Sequence, residues 1–309
     1  MPNITPDHLE KLRHLPEHLH EHIKGQAHVI DPVCSVLRRG ELGLANPHRP
    51  RGSFLFVGPT GVGKTEIANV FTSYLFAESK PLRFDMSEYQ NQSSVEKLIG
   101  AHPDDVGLLG RGLTRADCGT LLFDEVEKAH PLVLDLFLQI LDDAAITLAT
   151  GERKNLSGFY VVFTSNIGAA EAMRMQSAPF ASIERTVLAR VGQQLRPELV
   201  GRMTEKIVFN RLPYAVQREI CEQMIAIEQT RLRDLGHAVD VTSEDFERLL
   251  REGHHKTLGA RPMRAAVERH MQRTVAEQLL GYRISVEVVV KPRPSSLRSH
   301  CYARIRADV

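Results

Sequence analysis

The feature that most constrains this chain is an eight-residue segment that joins a short apolar run to a helical pattern. It is Gly58-Pro59-Thr60-Gly61-Val62-Gly63-Lys64-Thr65, and this G-x-x-x-x-G-K-T spacing between strand and helix is typical of a phosphate-binding loop rather than of a simple turn. The glycines let backbone N–H groups point at the β- and γ-phosphates of a nucleotide, Lys64 supplies a cation, and Thr65 supplies a hydroxyl ligand for Mg²⁺. The segment therefore predicts a site for ATP and Mg²⁺.

Three short apolar runs predict the sheet around this loop. They cover residues 53–57, 121–123 and 160–164, and each is continuous, as expected for a strand of a parallel sheet that is buried on both faces. Helical or loop sequence separates each run from the next. This alternation predicts an α/β fold with a doubly wound parallel sheet.

A pair of acidic residues, Asp124 and Glu125, follows the second apolar run. In α/β sheets, ligands bind at the carboxyl ends of the strands, which is where this pair is expected to lie. Asp124 can hold Mg²⁺ through water, and Glu125 can polarise the water that attacks the γ-phosphate. Two acids that merely cap the next helix are the structural alternative. Beside a phosphate-binding loop, the pair predicts ATP hydrolysis to ADP and phosphate.

The sequence after Pro213 predicts a second, mainly helical domain. Apolar residues recur at helical spacing there, and two β-rich stretches, 284–290 and 302–305, close the sequence. We therefore predict a helical lead-in over 1–22, a large ATPase domain over 23–211 and a small C-terminal domain over 212–309. The apolar positions expected to face the small domain's core are Ile220, Met224, Ile227, Leu232, Phe246, Leu249 and Leu250.

Composition argues against several classes of partner. The 39 basic and 38 acidic residues nearly cancel, so the total charge gives no electrostatic case for a nucleic acid or an anionic membrane. The C-terminal segment is locally basic, but Trp is absent from the chain and no aromatic residues alternate with those cations as a stacking platform would require. No segment has about 18 consecutive apolar residues, and four scattered cysteines are typical of a reduced, cytoplasmic protein.

The N-terminal lead-in is rich in histidine. His18 and His22 are four residues apart, a spacing at which two imidazoles on one helix face can share a metal ion. The segment has neither an HExxH motif nor a cysteine, so a solvated helix face is the favoured interpretation.

The order of several motifs gives a specific resemblance. The segments GPTGVGKTE, LLFDEVEKAHP, LQILDD, FTSNIG, RPELVGR and GARPMR resemble, in this order and at these intervals, the second ATPase ring of the Clp family of AAA+ unfoldases, to which ClpB and ClpA belong. The resemblance extends from about Leu12 to about Leu280. It implies an AAA+ P-loop domain with a smaller helical lid, assembly into a homo-oligomeric ring that is a hexamer in the family's manner, and a protein client.

The resemblance also implies roles for four residues that their own positions would not reveal. Asn166 matches the first sensor, which helps to orient the attacking water. Arg202 matches the arginine finger, which acts in the neighbouring subunit's site. Arg261 matches the second sensor, a cation of the small domain that touches the γ-phosphate. Ile23 matches an apolar wall of the adenine pocket.

One segment departs from the family. Clp proteins grip the threaded polypeptide with a pore loop that carries an aromatic residue before Val-Gly, and the matching position here is Asp105. A ring of such loops would cluster carboxylates, which repel one another unless a cation or a basic partner intervenes. Leu108 and Leu109 could provide the grip instead, or the loop could have no role with substrate. The candidate pore-loop residues are Asp104, Asp105, Val106, Gly107, Leu108 and Leu109.

Two functional hypotheses remain open from the sequence. The first is an ATP-hydrolysing, ring-forming motor that remodels a protein client. The second, supported by Asp105, is a nucleotide-gated assembly or adaptor module that binds a larger complex without threading a chain. A simple phosphate-loop kinase would need neither the sensors nor an arginine finger, and an AAA+ protein acting on nucleic acid lacks the stacking residues.

Overall fold

The computed structural model describes residues 5–77, 79–175, 177–255 and 258–280. The β-rich stretches expected at 284–290 and 302–305 lie outside the described residues. The chain divides into two compact units, one comprising Met1–Ile220 with His254–Arg261 and the other Cys221–Gly253 with Pro262–Val309. The division falls inside a helix that begins close to the boundary expected at 211/212.

The first unit begins with three helices that precede its sheet. These are α1 (Pro6–Arg13), α2 (Leu15–His22) and α3 (Ala27–Glu41). The strands of this unit are β1 (Gly52–Val57), β2 (Leu82–Asp85), β3 (Gly119–Asp124), β4 (Ala145–Thr147), β5 (Arg153–Asn155), β6 (Phe159–Ser165) and β7 (Glu205–Val208). The helices among them are α4 (Lys64–Leu75), α5 (Ser94–Ile99), α6 (Gly107–Leu113), α7 (Pro131–Asp143), α8 (Ala169–Arg174), α9 (Phe180–Gln194) and α10 (Pro197–Arg202).

The main sheet has five parallel strands in the order β2-β3-β6-β1-β7. Every residue of β1, β3 and β6 is buried, because helices cover both faces of a sheet that is built from parallel crossovers. Phe123 of β3 stacks between Phe84 of β2 and Phe163 of β6, with ring centres 5.5 Å apart in both pairs. The sheet thus places the carboxyl ends of β1, β3 and β6 side by side.

The three strands expected from the apolar runs are β1, β3 and β6, which confirms the α/β prediction. The edge strands β2 and β7 were missed because each has only four residues and includes charged side chains, such as Arg83 and Glu205. Short, partly charged edges are common in parallel sheets and give no apolar run to detect. The two-stranded antiparallel pair β4–β5 was missed because each of its strands has only three residues.

The second unit is helical in its described residues. Its helices are the later part of α11 (Tyr214–Asp234), all of α12 (Ser243–Gly253) and most of α13 (Arg261–Leu280). Two expected core positions of this unit are wrong, because Ile227 is 58% exposed and Ile220 belongs to the first unit. The buried face of α11 instead follows Cys221, Ile225 and Leu232. Glu228 is also buried and is partnered by Arg231.

The cysteines and the hydrophobicity of the helices bear on two further expectations from the sequence, reduced thiols and the lack of a membrane-spanning segment. None of the described cysteines, Cys34, Cys118 and Cys221, forms a disulfide. Burial raises the pKa of the Cys34 thiol to about 12, which makes it a packing residue rather than a nucleophile. Among the described residues, every helix is too short or too polar to span a bilayer.

Candidate functional site

The phosphate-binding loop joins β1 to α4 and depends on glycine at two close approaches. Gly58 has φ 146°, and a Cβ there would lie 2.6 Å from the carbonyl oxygen of Phe209. Gly61 has φ 72°, and a Cβ there would lie 2.1 Å from the carbonyl oxygen of Leu258. Only glycine fits both positions without moving backbone. The loop therefore curls tightly, and α4 begins at Lys64.

Lys64 lies inside the loop and is only 7% exposed. Its Nζ donates to the carbonyl oxygens of Gly58 (2.6 Å) and Pro59 (2.7 Å) and to Oδ1 of Asn166 (2.9 Å). Burial lowers the pKa of Lys64 to about 8, although the negative charge of Glu127 opposes this effect. The loop thus holds a cation that is poorly solvated, and a bound polyanion such as the phosphates of a nucleotide would stabilise its charge.

Asp124 and Thr65 meet at the carboxyl end of β3. Thr65 Oγ1 donates to Asp124 Oδ1 (3.1 Å), and Thr164 Oγ1 donates to the same oxygen (2.8 Å). Arg83 Nε donates to Oδ2 (2.5 Å), so this buried carboxylate is fully partnered. A hydroxyl and a carboxylate in contact are hard oxygen donors of the kind that Mg²⁺ prefers. The two residues fit the role that their sequence positions indicated.

The backbone of Glu125 adopts the left-handed conformation, with φ 57°. This conformation is uncommon for a residue with a side chain and is concentrated at functional sites. Glu125 Oε1 accepts a hydrogen bond from Asn166 Nδ2 (3.1 Å), and Oε2 pairs with Lys128 Nζ (2.5 Å). Glu125 is therefore partly exposed and oriented from two sides.

Asn166 links the two halves of the site. Its Oδ1 accepts from Lys64 and, at 3.4 Å, from Thr60 Oγ1, while its Nδ2 donates to Glu125. A single amide thus bridges the cation of the phosphate-binding loop and the acid that follows β3. This bridge is possible because β6, which ends just before Asn166, lies between β1 and β3.

Two residues of this site were missed by sequence reasoning. Glu127 Oε1 accepts the backbone N–H of Asn166 (3.0 Å), and its Oε2 is buried without a hydrogen-bond partner among the described residues. Gln26 is fully buried and donates to the carbonyl oxygens of Val62 (3.3 Å) and Asn210 (2.7 Å). The order Asp-Glu-x-Glu signals a further acid, but no sequence pattern signals the role of Gln26.

Ile23 and Arg261 belong to two different segments that contact the loop. Ile23 caps the carboxyl end of α2, is 5% exposed, and lies three residues before Gln26, which anchors the entry segment to the loop. Arg261 begins α13, and the preceding residue, Ala260, donates its N–H to the carbonyl oxygen of Gly61 (3.0 Å). The charge of Arg261 lowers the pKa of Lys64, so both cations act on the same region.

Arg202 lies outside this cluster. Its Nε contacts both carboxylate oxygens of Asp142 at 2.6 Å, and its Nη1 donates to the carbonyl oxygen of Glu198. Its side chain is one-third exposed. Arg196, its neighbour on the same segment, pairs instead with Asp135 (2.5 Å). The guanidinium of Arg202 is therefore held at the surface by α7 rather than directed at Lys64 of its own chain.

The candidate pore loop is more ordered than its sequence suggested. Asp105 Oδ1 accepts the N–H of Gly107 (3.0 Å), and Oδ2 accepts the N–H of Ala101 (3.2 Å). These hydrogen bonds hold the pKa of Asp105 below its ordinary value, with the bond from Gly107 as the largest cause. The Asp105 carboxylate therefore stabilises the loop itself.

Only part of the expected gripping surface is available. Gly107, Leu108 and Leu109 belong to α6 rather than to a loop, and Leu109 is fully buried in the core. The suggestion that both leucines grip a client is therefore wrong for Leu109, because its side chain has no exposed surface. Leu108 is 40% exposed. The exposed tip consists of Ala101, His102, Pro103 and Asp104.

A phosphate-binding loop after β1, an Asp-Glu pair after β3 and a bridging asparagine after the strand between them define a P-loop NTPase of the AAA+ class. Residues 49–206 match the family model described as AAA domain (Cdc48 subfamily), and residues 212–291 match the C-terminal, D2-small domain of ClpB protein. The chain belongs to the Clp family of AAA+ ATPases and resembles their second ATPase ring.

Individual relatives agree with this assignment. The chain is 36% identical over 299 residues to the ATP-dependent Clp protease ATP-binding subunit ClpA homolog of Pyropia yezoensis, covering 91% of this chain and 36% of the relative. It is 33% identical over 303 residues to the chaperone protein ClpB of Oceanobacillus iheyensis, covering 93% and 38%. The S. cerevisiae Hsp104:casein complex aligns with a TM-score of 0.80 and 32% identity, covering 91% of this chain and 51% of that chain. The chain thus spans 36% and 38% of the lengths of these ClpA and ClpB relatives.

Proposed function

We propose that this chain binds ATP with Mg²⁺ and hydrolyses it to ADP and phosphate. The observation that carries the proposal is the bridge made by Asn166 between Lys64 and Glu125. It joins a phosphate-binding cation to a candidate general base, and simple nucleotide binding would not require the second group. The Clp relatives support the same activity.

Each residue of the cluster has a distinct task in this reaction. Lys64 neutralises charge on the β- and γ-phosphates, and Glu125 accepts a proton from the attacking water at a carboxylate oxygen. Asn166 orients that water while it holds Glu125. Thr65 and Asp124 would hold Mg²⁺, which when bound neutralises phosphate charge. Arg261 adds a second cation near Lys64, and Ile23 supplies an apolar wall for the adenine.

Arg202 supports assembly into a ring, for which we propose a homohexamer. In this chain it pairs with Asp142 at the surface, outside the Lys64–Glu125 cluster. An arginine that must reach phosphate yet lies outside its own site is suited to act in a neighbouring subunit's site. Catalysis then requires two subunits, so activity depends on assembly.

The proposed client is a protein, which the ring remodels in the cytoplasm. The resemblance to Hsp104, whose solved complex contains casein, supports this class of client. Nothing in the overall charge favours a nucleic acid or a membrane. The adaptor alternative is favoured by the candidate pore loop, because Asp105 replaces the gripping aromatic and is itself hydrogen-bonded within the loop.

The first experiment tests hydrolysis. Glu125→Gln should bind ATP as the wild type does and abolish turnover, because the amide cannot accept the proton. Phosphate release at the wild-type rate from this variant would overturn the role of Glu125.

A mixing experiment tests action between subunits. Arg202→Ala and Lys64→Ala should each be inactive. In a mixed ring, some sites combine the phosphate-binding loop of an Arg202→Ala subunit with Arg202 of a neighbouring Lys64→Ala subunit, so hydrolysis should recover. Failure to recover activity, with mixed rings demonstrated by crosslinking, would contradict action in trans.

A third experiment separates the two functional hypotheses. Partners captured on the Glu125→Gln form with ATP are purified and added to wild-type protein. A partner that stimulates hydrolysis and is unfolded or dismantled supports remodelling. A partner that is only bound, and only with ATP, supports the adaptor alternative.

A further inference from the structure

One face of α2 brings together three side chains of metal-ligating type. His18, Glu21 and His22 lie at positions i, i+3 and i+4, which share a face of a helix. One candidate ligand atom from each lies within 4.8 Å of the others. Within the described residues, this is the only such group of histidine, cysteine and acidic side chains. None of the three belongs to the ATP site.

The His18 ring is held in place from outside its own helix. It stacks on the ring of Tyr74, with centres 4.2 Å apart and an interplanar angle of 26°. Tyr74 lies near the end of α4 and donates its hydroxyl to the carbonyl oxygen of Lys11 (2.9 Å). A half-buried, stacked imidazole loses little rotamer freedom when it binds an ion, so part of the cost of forming the site is already met.

The His22 ring is oriented by a hydrogen bond that also decides which nitrogen can bind a metal. Its Nδ1 lies 2.9 Å from the backbone carbonyl oxygen of His18. A carbonyl oxygen can only accept, so Nδ1 carries the proton and Nε2 of the neutral ring keeps its lone pair. Metal-binding histidines usually donate their other ring nitrogen to a carbonyl or carboxylate in this way. The bond therefore presents Nε2 of His22 as a ligand atom.

We propose that His18, Glu21 and His22 form a Zn²⁺ site on α2. Two imidazoles and one carboxylate, with water in the fourth position, are a common zinc donor set. Ligand atoms that share a tetrahedral Zn²⁺ lie about 3.4 Å apart, and small side-chain rotations bring the three groups to that separation. Lys11 is a nearby cation, 5.3 Å from the centre of the Tyr74 ring, and its charge repels a bound Zn²⁺. The negative charge of Glu21 opposes this repulsion.

The donor set separates this site from the proposed Mg²⁺ site. Imidazole suits Zn²⁺, Cu²⁺ and Ni²⁺, whereas Mg²⁺ prefers oxygen ligands. Millimolar Mg²⁺ should therefore fail to displace Zn²⁺ from α2. Bound Zn²⁺ requires the helical spacing of its ligands, so it stabilises the folded form and holds α2, which ends beside Ile23.

The test is Zn²⁺ titration of the full chain, free of any purification tag, treated with chelator, without nucleotide and in 5 mM Mg²⁺. Calorimetry should give one site per chain that His22→Gln weakens at least tenfold. His20→Gln is the matched control, because His20 is exposed on the same helix outside the group, and it should bind as the wild type does. Glu21→Gln should weaken binding less than His22→Gln. In chelator, circular dichroism and the melting temperature of every variant should match the wild type.

Two further measurements make the result decisive. Zn²⁺ should raise the melting temperature of the wild type and of His20→Gln but not of His22→Gln. Co²⁺ should give visible absorption bands typical of imidazole ligands in the wild type. His22→Gln should not show these bands. Equal Zn²⁺ affinity for His22→Gln and His20→Gln, or displacement of Zn²⁺ by 5 mM Mg²⁺, would overturn the proposal.

Discussion

Glu127 accepts the backbone N–H of Asn166 at 3.0 Å and thereby fixes the amide that bridges Lys64 and Glu125. The second carboxylate oxygen of Glu127 is buried without a partner among the described residues. A buried, half-satisfied carboxylate is costly to fold. Its negative charge is also the largest charge effect that raises the pKa of Lys64 against burial. Glu127 therefore supports Asn166 through its backbone N–H and Lys64 through its negative charge.

We expect Glu127→Ala to lower the kcat of ATP hydrolysis about tenfold or more, since a hydrogen bond to a charged acceptor contributes about 1.5–3 kcal/mol. ATP binding should also weaken, because the negative charge of Glu127 favours the charged form of Lys64. Glu127→Gln keeps an oxygen that can accept the Asn166 N–H and should retain most of the activity. Steady-state kinetics and nucleotide titration give the two quantities. Equal losses in both variants would contradict a positioning role through that hydrogen bond.

The sequence was sufficient to predict where Lys64 and Asp124 lie, because Asp124 directly follows an apolar run and Lys64 closes the loop after another, and parallel strands bring those ends to one edge. The role of Asn166 came from the family resemblance, since an asparagine after a strand is more often a turn residue. Gln26 could not be predicted in this way, since it acts through loop carbonyl oxygens far away in sequence. Neither periodicity nor strand order indicates such a contact.

Asp105 shows a different limit. From the sequence, Asp105 is expected to present its carboxylate to the pore, whereas in the structure both of its oxygens accept backbone N–H groups. A signal was present, because Asp shortly before a helix that begins at Gly107 is typical of capping. The missing aromatic residue is visible from the family resemblance, but it gives no indication of these local hydrogen bonds.

The buried cation of the phosphate-binding loop gives a prediction about stability. Burial lowers the pKa of Lys64 to about 8, so the charged form costs up to about 3 kcal/mol at neutral pH, less what its hydrogen bonds return. Lys64→Met should abolish ATP binding and raise the melting temperature of the nucleotide-free protein by about 2–4 °C. Differential scanning calorimetry measures the change.

The pH dependence provides the check on this interpretation. The unfolded chain keeps the Lys64 proton up to about pH 10.4, whereas the folded chain loses it near pH 8, so the wild type gains stability as the pH rises through this window. The advantage of Lys64→Met should therefore shrink between pH 7 and pH 9. A melting temperature below that of the wild type at pH 7 would contradict the proposed cost of burying the charge.

The pair formed by Arg202 and Asp142 gives a prediction about coupling. Both side chains are at least one-third exposed, so solvent screens the pair and Asp142→Asn should cost less than about 1 kcal/mol of stability. Because Asp142 makes no contact with the Lys64–Asn166 cluster among the described hydrogen bonds, ATP hydrolysis should persist in this variant. Arg202→Ala should be equally stable yet inactive. Urea denaturation and phosphate release compare the two, and loss of hydrolysis in Asp142→Asn would show that the ion pair itself is required for activity.

The candidate pore loop gives a prediction about backbone hydrogen exchange, for which the neighbouring residue Asp104 provides the control variant. Asp105→Ala removes the acceptor for the N–H groups of Ala101 and Gly107, so their hydrogen exchange should accelerate several-fold. Asp104→Ala removes an exposed charge one residue earlier and should leave that exchange unchanged. The pKa of Asp105 is lowered by these bonds, so protection in the wild type, corrected for intrinsic exchange, should persist above the ordinary aspartate pKa of about 3.9 and fall only below it. If both variants exchanged at the wild-type rate, the Asp105 carboxylate would not be the group that orders this loop.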